Sequence, residues 1–236
     1  MHLGFTLVIL EGTRDAIFLK YALETYMSTQ QPIPKILMGN SRVAGKIVSG
    51  ACVIFCNSDS EAIIFIPVPG ISELKKLRET ILNDISTPNI DIVDIPEIIL
   101  DSGERFQTKI PKKKIKAVIF ICDYDKGQDL AIDEMQNKES LSFYDRPIDT
   151  ILIRHIFFKE NLEEFLYNRI IKPYITEINE IIRYLSAQSF SLSKAVKAAL
   201  FKYCDSIYMQ YSQMLASIQS QTLIIILNEI IKLILL

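Results

Sequence analysis

Glu11 directly follows the apolar run Phe5 to Leu10, and Asp123 and Asp125 follow the apolar run Ala117 to Cys122. In a parallel sheet, side chains just beyond the strand C-termini converge on the crevice where ligands bind. Asp123 and Asp125 are two apart, so in an extended chain both side chains point one way while Tyr124 faces the other. Three carboxylates near one point are costly unless a cation neutralises them. An all-oxygen donor set of this kind suits Mg2+ or Mn2+ better than a soft metal. A lone Asp-x-Asp fits helix capping equally well; the third acid, at a second strand end, favours the cation.

The elements that must position these acids are legible in the apolar periodicity. Phe5 to Leu10 has strand length and leads through Gly12 into a helix-type segment from Thr13 to Met27, a strand–turn–helix unit. Ile47 to Cys56 and Glu61 to Val68 read as two strands of a hairpin, at the sheet's edge or in an insertion. Pro69-Gly70 ends the second, and Ser72 with Glu73 opens a helix through Leu74, Leu77, Ile81 and Leu82. Ile90 to Leu100 is β-rich. Ala117 to Cys122 is apolar on both faces, as a central parallel strand should be. A helix-type segment from Gln128 to Gln136, a strand from Thr150 to Phe157 and a helix-type Leu162 to Ile170 continue the alternation.

Beyond Pro173 the pattern is helical, with a long amphipathic helix from Ser191 to Ile218. Residues 1–170 are expected to form an α/β domain and residues 171–236 a helical C-terminal subdomain. The last segment, Leu223 to Leu236, has only Asn228, Glu229 and Lys232 as polar positions. Its length of about 21 Å falls short of a hydrocarbon core of roughly 30 Å. The expectation is therefore a subunit interface, a homodimer through the C-terminal helices, or burial against the preceding helix, and no membrane span.

The chain has 236 residues, 23% of them charged and 49% hydrophobic, which excludes disordered and fibrous classes. A net charge of −2 argues against non-specific coating of nucleic acid. Cys52, Cys56, Cys122 and Cys204 lie in or beside apolar segments, and Met1 is not followed by a charged and then apolar leader. Both observations point to a reduced, cytoplasmic protein. Cys52 and Cys56 sit four apart in a strand-like run, roughly 13 Å end to end. That is too far for one zinc ion with Zn–S bonds of about 2.3 Å.

The segment Leu7-Val8-Ile9-Leu10-Glu11-Gly12-Thr13-Arg14-Asp15 resembles the Toprim signature, a strand ending in Glu-Gly-x-x-Asp, and Ile119 to Gly127 resembles its Asp-x-Asp strand. Together with Ile66-Pro67-Val68-Pro69-Gly70, the likeness covers roughly residues 5 to 170. It implies a Toprim-like, mostly parallel sheet flanked by helices, with insertions around 40–62 and 88–114 and the C-terminal helical extension beyond. It also implies a Mg2+- or Mn2+-dependent activity that cleaves or transfers phosphodiesters in DNA or RNA, with Glu11, Asp123 and Asp125 as metal or general acid/base residues.

The pattern is similar in particular to stand-alone Toprim proteins and to nucleases of the overcoming-lysogenisation-defect group. In those, Asp15 and Glu163 (or Glu164) would complete a two-ion ligand set. Lys194, which begins a helix, or Lys126 would be the lysine that offsets developing charge.

Other signals are weaker. Gly39 to Lys46 imitates a P-loop, but five residues separate Gly39 from Gly45 and Ile47 replaces the metal-binding hydroxyl. His2 and His155 have no Ser or Cys nucleophile motif beside them. A haloacid-dehalogenase-like phosphatase would also use Asp-x-Asp, but near its first strand and with Thr or Val where Gly127 stands. The remaining alternative is a non-catalytic module that binds nucleic acid or a partner.

Overall fold

The computed structural model describes residues 4–13, 15–16, 19, 35–56, 60–106, 108–123, 136–138 and 141–158. In chain order the strands are β1 (Gly4–Glu11), β2 (Lys35–Val43), β3 (Lys46–Cys56) and β4 (Glu61–Val68), followed by helix α1 (Ile71–Ser86). Then come β5 (Ile92–Asp94), β6 (Glu97–Leu100), β7 (Arg105–Phe106), β8 (Lys109–Pro111), a 3-10 turn at Lys112–Lys114, β9 (Ile115–Asp123), β10 (Gln136–Lys138), β11 (Leu141–Ile148) and β12 (Ile151–Phe158).

Ten strands share one sheet in the order β10-β11-β12-β9-β1-β4-β3-β2-β6-β7, and β5 pairs with β8 separately. β1 runs parallel to both of its neighbours, β4 and β9. The pairs β2–β3, β3–β4, β2–β6, β6–β7 and β10–β11 are antiparallel.

This architecture corrects the expected fold class. Among the described residues the fold is a large mixed β-sheet, and not a Toprim-like, mostly parallel sheet flanked by helices. The reason lies in the segments expected to be insertions. Residues 40–62 contain the end of β2 and all of β3, whose antiparallel ladders extend the sheet beyond β4. The β3–β4 hairpin forms with Cys56 opposite Glu61, but inside the sheet and not at its edge. Residues 88–114 supply β5 to β8. The expected helix at 128–136 lies outside the described residues, save that Gln136 opens β10. The expected helices beyond residue 158 also lie outside the described residues.

The chain divides into two compact units, residues 1–122 with 130–157 and residues 123–129 with 158–236. In the first unit, one face of the sheet carries Phe5, Leu7 and Ile9 of β1, Ala62, Ile64 and Ile66 of β4, Val118 and Phe120 of β9, and Ile151 and Ile153 of β12. Leu74, Ile81 and Ile85 of α1 pack against this face. β1 is buried on its other face too, through Val8 and Leu10. Apolar residues on both faces are what a strand with a hydrogen-bonded neighbour on each side and cover above and below requires.

Local chemistry fixes the turns. Ala44 (φ 49) and Gly45 (φ 76) close the β2–β3 hairpin as a two-residue loop with both residues left-handed, the twist-matched geometry for tight hairpins. Pro67 lies beyond the last β3–β4 pair, Cys52 opposite Phe65, and its carbonyl accepts a 2.5 Å hydrogen bond from the buried Ser41 hydroxyl. A proline in an interior strand is thereby tolerated where the ladder has ended on the β3 side, while β1 still runs alongside it with Leu10 opposite Pro67.

Candidate functional site at the end of the parallel strands

β1 ends at Glu11 because Gly12, at φ 94, turns the chain off the sheet while its N–H donates to the Val68 carbonyl at 2.9 Å. Thr13, Asp15, Ala16 and Leu19 are helical, and Ala16 and Leu19 are fully buried. β4 ends in the same way: Gly70, at φ 107, donates to the same Val68 carbonyl at 2.9 Å, and α1 follows. Two strand–turn–helix units therefore lie side by side with their strand C-termini at one edge, Glu11 opposite Val68. Ligands bind at such an edge in open α/β sheets.

Glu11 is half-buried and its Oε2 oxygen is closed off from solvent. Asp15, one helical turn on, is 7% exposed. Both are hard oxygen donors of the kind Mg2+ and Mn2+ take. Alternation along β1 puts Glu11 on the face of Leu7 and Ile9. Along β9 it puts Asp123 with Ile119 and Ile121, and Ile121 is the register partner of Leu10. In-strand geometry alone thus does not bring Glu11 and Asp123 to one face. Asp125, Lys126, Glu163, Glu164 and Lys194 lie outside the described residues. Among the described residues no group of three or more His, Cys, Asp or Glu forms a metal-binding cluster.

Lys112, Lys113 and Lys114 form the 3-10 turn that leads into β9, and Lys116 within β9 forms an ion pair with Glu61. The P-loop-like segment is no phosphate loop: Gly39 lies inside β2, and Gly45 in the hairpin turn. Cys52 and Cys56 are buried in β3, and Cys122 is buried in β9. Burial, with the Glu61 carboxylate nearby, pushes the Cys56 thiol up to about 11.

One polar constellation escapes the motif reading. The inward stripe of α1 runs Leu74, Arg78, Ile81, Ile85, and Arg78 Nε donates a 2.8 Å hydrogen bond to Nε2 of the buried His155 on β12. Burial first, and then the Arg78 guanidinium, lower the imidazole to about 4, against the opposing effect of Asp145. The sequence signal for it was the cation interrupting an otherwise apolar stripe at steps of four, three and four.

No protein-family model matches the chain, and no curated protein matches it either. Among solved structures, the chain is similar to a hypothetical protein of Pyrococcus horikoshii OT3 at 13% identity and a TM-score of 0.43, over 97% of this chain and 99% of that one. It is also similar to a protein of unknown function from Thermoplasma acidophilum at 10% identity and a TM-score of 0.31, over 92% and 90% of the two chains. Likenesses this loose transfer neither a family nor an activity. No helix of the described residues is long and apolar enough to cross a membrane.

Proposed function

We propose that the protein is a divalent-cation-dependent phosphodiester-cleaving or phosphoryl-transfer protein acting on nucleic acid. The observation that carries this reading is the placement of Glu11 at the C-terminal end of the central parallel strand, with the buried Asp15 one helical turn beyond it. Oxygen donors held out of water fit Mg2+ or Mn2+, and such an ion would supply charge neutralisation and an activated water when bound. Glu11 and Asp15 would hold it. Asp123, Asp125 and Glu163 are the further ligands, and Lys194 the assisting cation, that the sequence motifs nominate.

The net charge of −2 and the separate faces of Glu11 and Asp123 within their strands support a second reading, a non-catalytic module that binds a cation and a partner. One assay separates the two. Supercoiled DNA, single-stranded DNA and RNA are incubated with the protein in Mg2+, Mn2+ or chelator, beside Glu11→Gln and Asp125→Ala. Cation-dependent cleavage that both substitutions abolish supports the enzyme. Cation binding by calorimetry without cleavage of any substrate supports the module, and the loss of both activities overturns the two readings together.

The apolar breadth of Leu223 to Leu236 supports a homodimer as the working form. Sedimentation should show a dimer that deletion of Leu223 to Leu236 converts to monomer. A full-length chain that sediments as a monomer refutes it.

A further inference from the structure

Arg78 occupies a position where the helix needs an apolar side chain. Leu74, Ile81 and Ile85, its companions on the inward stripe of α1, are all fully buried, and Arg78 is half-buried between them. A guanidinium so placed is tolerated only if its N–H groups find acceptors. One does: Nε–H reaches His155 Nε2. No carboxylate of the described residues forms an ion pair with Arg78; its sequence neighbour Glu79 is exposed and contributes only at a distance. The remaining N–H groups of the fork are left for something else.

His155 carries the same message. Its ring stacks on Phe120, with centroids 5.1 Å apart and an interplanar angle of 20°, and lies nearly parallel to Phe157. Accepting a hydrogen bond at Nε2 places the imidazole proton on Nδ1. That Nδ1 is buried and has no hydrogen-bond partner among the described residues, in a residue only 3% exposed. Burial keeps the ring neutral far below physiological pH, so Nδ1 is a fixed donor and Nε2 a fixed acceptor.

On this face the neighbouring strand adds a tyrosine ring and a second guanidinium. The Tyr144 ring lies 6.3 Å from His155, and Arg146, two residues on, shares its face of β11 and bears electrostatically on Arg78. Asp145, between them, points to the other face, where Arg154 holds it in a two-pronged pair at 2.6 and 2.7 Å. This strip thus gathers two guanidinium groups beside the Tyr144 ring and the imidazole that orients Arg78, with Asp145 turned to the other face and paired with Arg154.

We propose that the strip formed by Arg78, Tyr144, Arg146 and His155 is a binding site for a dianionic phosphate group. Two guanidinium charges match a phosphate dianion better than a single carboxylate, and the planar fork of Arg78, oriented through Nε by His155, suits paired phosphate oxygens. Arg146 is exposed, so the group enters from solvent at that side. The site is independent of the cation site proposed at Glu11 and Asp15.

Calorimetric titration of the full chain with inorganic phosphate, and with acetate as a control, tests the proposal. Arg78→Met restores an apolar stripe and should leave the fold intact while weakening phosphate binding by about tenfold or more, the effect of losing one charge-assisted partner. Arg146→Gln, a surface change, should weaken it by a smaller factor. Bound phosphate should also shift the His155 Nδ1 resonance, a response that a purely structural Arg78–His155 pair would not give. Titration with 5′-phosphorylated and unphosphorylated oligonucleotides identifies the source: tighter binding of the phosphorylated strand assigns the site to a nucleic-acid end, and equal binding assigns it to a small phosphorylated ligand. Absence of phosphate binding, acetate binding as tight as phosphate, or unchanged binding in both Arg variants overturns the proposal.

Discussion

His155 is an imidazole whose surroundings hold it neutral, and that gives stability a pH dependence in a window where few groups titrate. Its pKa is lowered to about 4 in the folded chain against 6.5 when exposed, chiefly by burial and then by the Arg78 guanidinium. Its contribution is therefore fully present above about pH 6.5 and is lost as pH falls towards 4, at roughly 1.4 kcal/mol per pH unit and on the order of 3 kcal/mol in all. His155→Gln keeps an acceptor for Arg78 Nε–H but removes the titration. Urea unfolding of the two proteins between pH 7 and 4 should show wild type losing this stability and the variant not. Parallel curves would mean that the ring is not buried as a neutral base. At Cys56 the effect is chemical: with its thiol raised to about 11, native protein at pH 8 should resist alkylation there and react only once unfolded. Mass mapping of the modified cysteine reads this directly.

Each turn and each close approach between strands places a demand on one residue. Ala44 adopts φ 49 in the β2–β3 turn, where a residue with a Cβ is strained by about 1 kcal/mol and Asn is better tolerated. Ala44→Asn should raise the urea midpoint with an unchanged slope; a midpoint that stays or falls would exclude the left-handed turn. Gly39 answers a different need, since a Cβ there would collide with the Ile99 carbonyl oxygen and lie 2.9 Å from Leu100 Cα. Gly39→Ala should cost about 1–3 kcal/mol and speed amide exchange at Ile98 to Leu100, where β6 pairs with β2. These demands also explain what could be read from sequence. β1, β3, β4, β9 and β12 are apolar runs bounded by glycine, proline or polar turns, α1 carries an apolar stripe at helical spacing, and their outlines were legible. β2 hides behind Gly39-Asn40-Ser41 and β11 behind Tyr144-Asp145-Arg146-Pro147, neither of which alternates.

At the scale of the whole molecule, strand order was the illegible part. Whether a Val- and Ile-rich run pairs parallel or antiparallel is decided by distant partners, and no residue within β3 or β4 records that one side of β4 faces β1 and the other β3. The site divided along the same line. Glu11 was legible because a strand end followed by glycine is a local signal. Arg78 is marked locally only as a cation on the apolar stripe of an amphipathic helix, and His155 reads as a solitary histidine; only the packing of α1 brings the two together. The central position of β1 bears as well on how the chain is made. β1 leaves the ribosome before its partners, for β4 begins 50 residues after Glu11 and β9 104 residues after it. At about 5–20 residues per second, one edge of a strand built from Leu7, Val8, Ile9 and Leu10 waits roughly 5–20 s for β9 to be synthesised. Folding of the nascent protein is thus gated by the arrival of Ile115 to Asp123, and until then the first strand is the segment a chaperone must shield.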